Sequence, residues 1–229
     1  MARNVTLFTI LCSLGLAACN RPAEVHYRVT VEVNDRGTIR SGSSVWAFAL
    51  SKSALPLASP YNPHFRGEAV AVDLPGRGTL FALVQGETVK TYPENLFGNL
   101  QRSQADQSLS SDRIEDLRRI KAMLGSSEEL VCTDPPWIGL SCPMLVRFRD
   151  SRAPETVEKV DPADLVASFG PDVKLQRVTV KITDDPVTVG IQKKLPWLQN
   201  LHGSYINGAS TRRNAPLGLQ QGDFTTEDL

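Results

Sequence analysis

Arg28-Val29-Thr30-Val31-Glu32-Val33 runs straight into Asn34-Asp35-Arg36-Gly37, and this stretch decides the fold class. Valines at every second position, with charged or hydroxyl side chains between them, have the period of two of a half-buried strand. The residues that follow are turn chemistry, and Gly37 is free to take a positive φ, so the chain reverses there. A return strand carries Trp46, Phe48 and Leu50 on one face and Val45, Ala47 and Ala49 on the other. Ser41-Gly42-Ser43-Ser44 ahead of it predicts a bulge that shifts the register.

Working outward, residues 69–74 and 79–84 flank Pro75-Gly76-Arg77-Gly78, a second hairpin signal. Residues 51–67 contain Pro56, Pro60 and Pro63 and read as a long surface loop between the hairpins. Residues 101–111 are polar and rich in Ser and Gln, a connection. Ser111 is placed to cap a helix with Ile114, Leu117, Ile120 and Leu124 on one side, closed by Gly125. Met144, Val146 and Phe148 alternate as a strand. Asp161-Pro162 starts a short second helix through Leu165 and Phe169, stopped by Gly170-Pro171. Val178, Val180 and Ile182 mark one more strand, ending at Asp184-Asp185-Pro186. The order predicts an α+β fold, a mainly antiparallel sheet built from hairpins with a helical insert and a short second helix. One globular domain over residues 25–208 is expected, and the thinning hydrophobic pattern of 209–229 reads as a disordered tail.

The chain has 229 residues, 41% hydrophobic and 22% charged, which excludes collagenous, disordered and disulfide-packed miniprotein classes. Lys and Arg together number 25, as do Asp and Glu, so no basic footprint for nucleic acid exists and none is expected as a partner.

Residues 1–18 read as a targeting segment. Arg3 supplies its positive start, and a mostly apolar run from Val5 to Leu16 follows, shorter than the roughly 20 residues a membrane-spanning helix needs. Leu16-Ala17-Ala18-Cys19 resembles the lipobox of bacterial lipoproteins, in which the cysteine receives diacylglycerol on sulfur and becomes the new N-terminus. Cys12 follows the bulky Leu11 and does not fit that pattern. The competing reading is an ordinary secretory signal cut between Ala17 and Ala18. Residues 19–24 then form a lipidated N-terminus and short tether, which reaches about 17 Å fully extended. Asn20, where an aspartate would resemble an inner-membrane retention signal, points to the outer membrane.

Three further stretches carry a resemblance: residues 67–73, residues 160–165, and the run from Ile182 through Ile191 to Leu195-Pro196-Trp197-Leu198. Together they resemble an uncharacterised family of proteobacterial proteins, often lipoproteins. The likeness spans about Tyr27 to Leu198 and implies a bacterial origin and one continuous domain. It implies no catalytic residue.

Signatures of chemistry are few. No metalloprotease helix, phosphate-binding loop or serine–lysine motif is present. Gly139-Leu140-Ser141-Cys142-Pro143 begins like a nucleophile elbow, but Pro143 stands where the strained turn needs glycine. No cofactor, metal ligand set or catalytic residue is therefore expected. Cys132 and Cys142 would both survive export, and an oxidising compartment favours a disulfide between them. His26, His64 and His202 sit in no motif. Tyr61, His64, Phe65 and Arg66 form a candidate recognition loop, with the alternative that its aromatics pin the loop to the core. Asp184 and Asp185, the nearest thing to an acid/base pair, read as strand-ending residues before Pro186. The functional expectation is a membrane-anchored envelope lipoprotein that binds a protein partner of the envelope without catalysis. A periplasmic hydrolase and a purely structural lipoprotein are the alternatives.

Overall fold

The computed structural model describes residues 22–53, 59–86, 112–132 and 142–226. The expected connection at 101–111, including Ser111, lies outside them. Strand β1 (Ala23–Asp35) buries Val25, Tyr27, Val29, Val31 and Val33 and leaves the residues between them half-buried, as its alternation requires. Arg36 and Gly37 both take positive φ, 53° and 81°, which is the two-residue turn that matches the right-handed twist of a hairpin. The Asn34 side chain closes it by accepting the Gly37 N–H at 2.8 Å.

Strand β2 (Thr38–Lys52) pairs with β1 without interruption, from Asp35↔Thr38 to Ala23↔Leu50. The bulge expected at residues 41–44 is absent. The irregularity lies instead between β1 and strand β9 (Val173–Thr183), where Gln176 is the extra residue between the pairs Glu32↔Arg177 and Val33↔Leu175. Gly42 has a different reason to be glycine. It pairs with the inward-facing Val31, and a Cβ on it would fall 2.1 Å from the carbonyl oxygen of Ala71 on strand β4 (Val70–Leu74). Small residues stand there because another backbone passes at contact distance.

Two antiparallel sheets result. The first has the order β3-β2-β1-β9-β6, with β3 (Tyr61–Arg66) and β6 (Ser127–Glu129) at its edges. The second has the order β4-β5-β7-β8, with β5 (Gly78–Gly86), β7 (Pro143–Phe148) and β8 (Val157–Lys159). The fold is thus sheet-dominated and only loosely α+β. The first correction is that residues 61–66 are not loop: they pair along β2 from Lys52↔Tyr61 to Ala47↔Arg66. Proline at 63 is tolerated because β3 is an edge strand.

Between the sheets lies the larger core. Trp46, Phe48, Leu50, Val178, Val180 and Ile182 face Val70, Val72, Leu74, Leu80, Ala82, Val84 and Leu145. Helix α1 (Arg113–Lys121) contributes Ile114, Leu117 and Ile120. Its cap is Asp112, whose carboxylate accepts the Ile114 N–H at 3.0 Å, and Leu124 lies past the helix end, 56% exposed. Helix α2 (Leu165–Phe169) starts three residues later than Asp161-Pro162 predicts, capped by Asp164, because Asp161 is used to hold the Ala163 N–H in the preceding turn. Cys132 follows β6 and Cys142 precedes β7, and their disulfide, with Cα atoms 4.9 Å apart, ties the edge of the first sheet to the second. In chain-entropy terms, closing that loop stabilises the fold by roughly 3 kcal/mol.

A second core covers the opposite face of the second sheet. Phe81, Leu83, Val146, Phe148 and Val157 point away from the first sheet and lie beneath Ile191, Leu195, Leu198, Ile206, Leu219 and Phe224. Phe148 packs within 6 Å, ring centre to ring centre, of Phe81, Trp197 and Phe224, at 5.7, 5.5 and 5.9 Å. The expectation of a disordered tail beyond residue 208 is therefore corrected as far as residue 226. From Ile206 on, the chain forms short 3-10 turns, Ile206–Gly208, Pro216–Gly218 and Gln221–Asp223, and Leu219 and Phe224, each directly after one of the last two, are fully buried. Its end is stitched to the segment before β4: Ala69 N–H donates to Phe224 O at 2.7 Å and Thr226 N–H to Gly67 O at 3.0 Å. Apolar anchors spaced irregularly among Gly, Pro and Asn carry no helix or strand period, so the pattern thins while the burial does not.

The approach of β2 to β4 predicts the effect of adding one carbon at Gly42. Gly42→Ala should destabilise the protein by about 3 kcal/mol in urea unfolding, the upper end for overpacking, since backbone rather than a side chain must move. Gly37→Ala meets open space and strains only its positive φ, costing about 1 kcal/mol. Equal losses for the two variants would contradict the close contact.

Candidate functional site

Alternation along β1 sends Glu24, His26, Arg28, Thr30, Glu32 and Asn34 to the face of the first sheet that does not pack on the second. An antiparallel sheet commonly keeps one face in water, and this one is charged along its length. Glu32 pairs there with Arg177 of β9 at 3.0 Å.

The densest polar cluster lies at the start of β1. The Glu24 carboxylate accepts from His26 Nε2 at 2.8 Å and from Arg66 Nη2 at 3.1 and 3.0 Å. His26 Nδ1 donates to the main-chain carbonyl of Asp185 at 2.7 Å. The ring thus bridges a carboxylate and a main-chain carbonyl. Arg28 donates to the Asp185 carboxylate at 2.7 Å and to Ser43 Oγ at 3.1 Å, and the Thr183 hydroxyl also donates to Asp185. Past Thr183 the chain crosses this face as a strap. Val45 N–H donates to Thr188 Oγ1 at 2.8 Å, and Thr188 N–H returns a bond to the Val45 carbonyl at 3.1 Å. Ile191 N–H then donates to the buried Glu68 carboxylate at 2.8 Å.

Electrostatics follow from these partners. Burial pushes the Glu24 carboxyl up, but the bonds from His26 and Arg66 outweigh it and leave it below the ordinary carboxylate value. The Thr183 hydroxyl, and then Arg28, hold Asp185 low as well. A general acid at neutral pH needs the opposite shift. Asp184 is exposed just past the end of β9, and the bonds from Arg28 and Thr183 go to its neighbour Asp185.

The four residues of the proposed recognition loop separate across β3. Tyr61 and Phe65 turn inward: Phe65 packs edge-on against Trp46 with ring centres 5.6 Å apart, and the Tyr61 hydroxyl accepts the Arg113 N–H at 3.3 Å at the start of α1. His64 and Arg66 turn outward, opposite Ala49 and Ala47, and only Arg66 joins the cluster. His64 and His26 share the face but stand two strands apart and two residues out of register, about 12 Å. His202 belongs to the C-terminal layer, in a turn at φ 44°. Cys19 lies outside the described residues, whereas Cys132 and Cys142 are joined. No group of three metal-ligating side chains occurs among the described residues.

Glu24 and Arg28 were not singled out by sequence, and Asp185 was read only as a strand-ending residue before Pro186. The first two are visible as the polar side of a strand, but nothing local announces that Asp185, 157 residues beyond Arg28, returns to meet it. No family model, curated protein or solved structure matches this chain.

The lowered carboxyl groups set the direction of the acid response. Glu24 and Asp185 are joined by Asp73, held low by the Lys194 ammonium, and by Asp112, held low by the backbone N–H of Ile114. Unfolded carboxyl groups titrate at roughly 3.9–4.3, so this contribution is complete above that range and disappears as pH falls through the lower folded values. Melting temperature should be flat from about pH 7 to 5 and drop steeply below about pH 4. Glu24→Gln should lower the melting temperature at pH 7 and weaken the acid dependence. A melting temperature that rises as pH falls to 3 would refute the assignment.

Proposed function

We propose that the chain is a bacterial cell-envelope lipoprotein, anchored by lipid on Cys19, that serves as a non-catalytic binding or assembly component in the periplasm. The observation that carries this reading is Leu16-Ala17-Ala18-Cys19 behind a short apolar run. The resemblance to proteobacterial lipoproteins agrees with it, and Asn20 directs the anchor to the outer membrane. Each buried acyl CH₂ contributes about 0.8 kcal/mol, and several chains together hold a protein on a bilayer durably.

The anchor also orients the body. Strand β1 begins at Ala23, so its first residues lie within about 14 Å of the lipidated cysteine along an extended tether. Thirteen residues of strand then carry the chain about 40 Å to the β1–β2 turn. The Glu24–His26–Arg66 end stays near the membrane, and the turn is directed away from it. A binding role is supported by the character of the exposed face: it is polar and charged, and Glu24 and Asp185 on it are held below the ordinary carboxylate value rather than raised as proton donors would be.

Changing Cys19→Ser tests the anchor. The wild-type protein should carry the mass of its acyl chains and fractionate with outer membranes, while the variant should lose both properties. A wild-type protein of unmodified mass, or a variant that remains membrane-bound, would overturn the proposal.

A further inference from the structure

At the far end of the exposed face, the β1–β2 turn and the start of β9 enclose an open notch. Its volume is about 450 Å³, and Asn34, Arg36, Gly37, Asp172 and Lys174 line it. That size falls within the range of small-ligand sites, about 300–1,000 Å³. Arg28, Arg66 and Arg177 each hold a carboxylate, whereas the side chains of Arg36, Asp172 and Lys174 have no partner among the described residues. Arg36 and Asp172 are held side by side, Arg36 N–H donating to the Asp172 carbonyl at 2.9 Å, without their side chains pairing.

The backbone adds a second observation. Arg36 and Asp172 are both left-handed, at φ 53° and 63°. Aspartate tolerates that region, but arginine does not favour it, and a turn of this type prefers Asn, Asp or Gly at the position Arg36 occupies. The turn therefore does not explain the arginine. A function for its side chain does, in keeping with the way strained residues gather at binding sites.

We propose that this notch binds a small zwitterionic ligand of about dipeptide size. Arg36 offers a planar fork that grips a carboxylate through two bonds, Lys174 adds a second cation beside it, and Asp172 supplies the counter-charge for an ammonium group. Bound this way, the ligand supplies the partners that the three side chains lack. The site deepens the binding role proposed for the exposed face. It does not depend on the lipid, so its failure and the failure of the anchor are read by separate experiments.

The test uses the full chain carrying Cys19→Ser, labelled with ¹⁵N and titrated with the dipeptide Ala-Ala, its N-acetyl form and its C-terminal amide. The zwitterion should shift the amide signals of Gly37, Asp172 and Lys174 saturably, and each blocked form should bind at least tenfold more weakly. Arg36→Asn places a residue the turn prefers, so the fold is kept while affinity falls at least tenfold, and Lys174→Gln should weaken binding in the same direction. Absence of a saturable shift, equal binding of the amidated dipeptide, or undiminished binding by Arg36→Asn would each overturn the proposal.

Discussion

Strand β5 is buried on both faces, and the rest of the molecule is disposed to cover it. Leu80, Ala82 and Val84 press against the first sheet, while Phe81 and Leu83 lie under the C-terminal layer. A fully buried side chain of this kind contributes about 2 kcal/mol. Exposing either face would thus remove an amount comparable with the whole net stability of a typical domain, about 5–15 kcal/mol. Two covers are required, and the chain supplies them from opposite ends: the first hairpin on one side and residues 191–226 on the other.

The layers are also pinned to each other. Gly42 lets β2 and β4 approach until backbone meets backbone, and the disulfide between Cys132 and Cys142 closes the far edge. Arg77, in the β4–β5 turn, reaches the first sheet at Asp35 with 3.3 Å between nitrogen and oxygen, and it also donates to the carbonyl of Phe169 at the end of α2. Breaking a buried pair of this kind costs about 3–5 kcal/mol. The strap from Asp185 to Ile191 carries the chain from one layer to the other, held by Arg28, Val45 and Glu68 on the way. With stability vested in these contacts, most of the outer face of the first sheet carries little packing duty. Beyond the strap it remains polar and largely half-buried or exposed.

Much of this was legible from local pattern. The valine alternation of β1, the Arg36-Gly37 reversal and the β4–β5 hairpin each follow from residues adjacent in sequence. What escaped was non-local. Strand β3 hides behind Pro60 and Pro63, and its inward residues Tyr61 and Phe65 are too few to display a period. Strands β6 and β8 have three residues each and form only because a neighbour offers its edge. The unbroken apolar run Leu80-Phe81-Ala82-Leu83-Val84 did hold the information that a second cover must exist. The segment that provides it has no periodicity by which to be recognised. The exposed cluster divides in the same way, with Glu24, His26 and Arg28 readable as one side of a strand and Asp185 placed by the strap alone.

Hydrogen–deuterium exchange on the intact chain bears most directly on whether the C-terminal layer belongs to the same cooperative unit as the sheets. Peptides covering residues 215–226 should exchange together with those of β5, on the timescale of global unfolding, because the two share one core. Complete exchange of residues 215–226 within seconds, with β5 still protected, would contradict the two-cover arrangement.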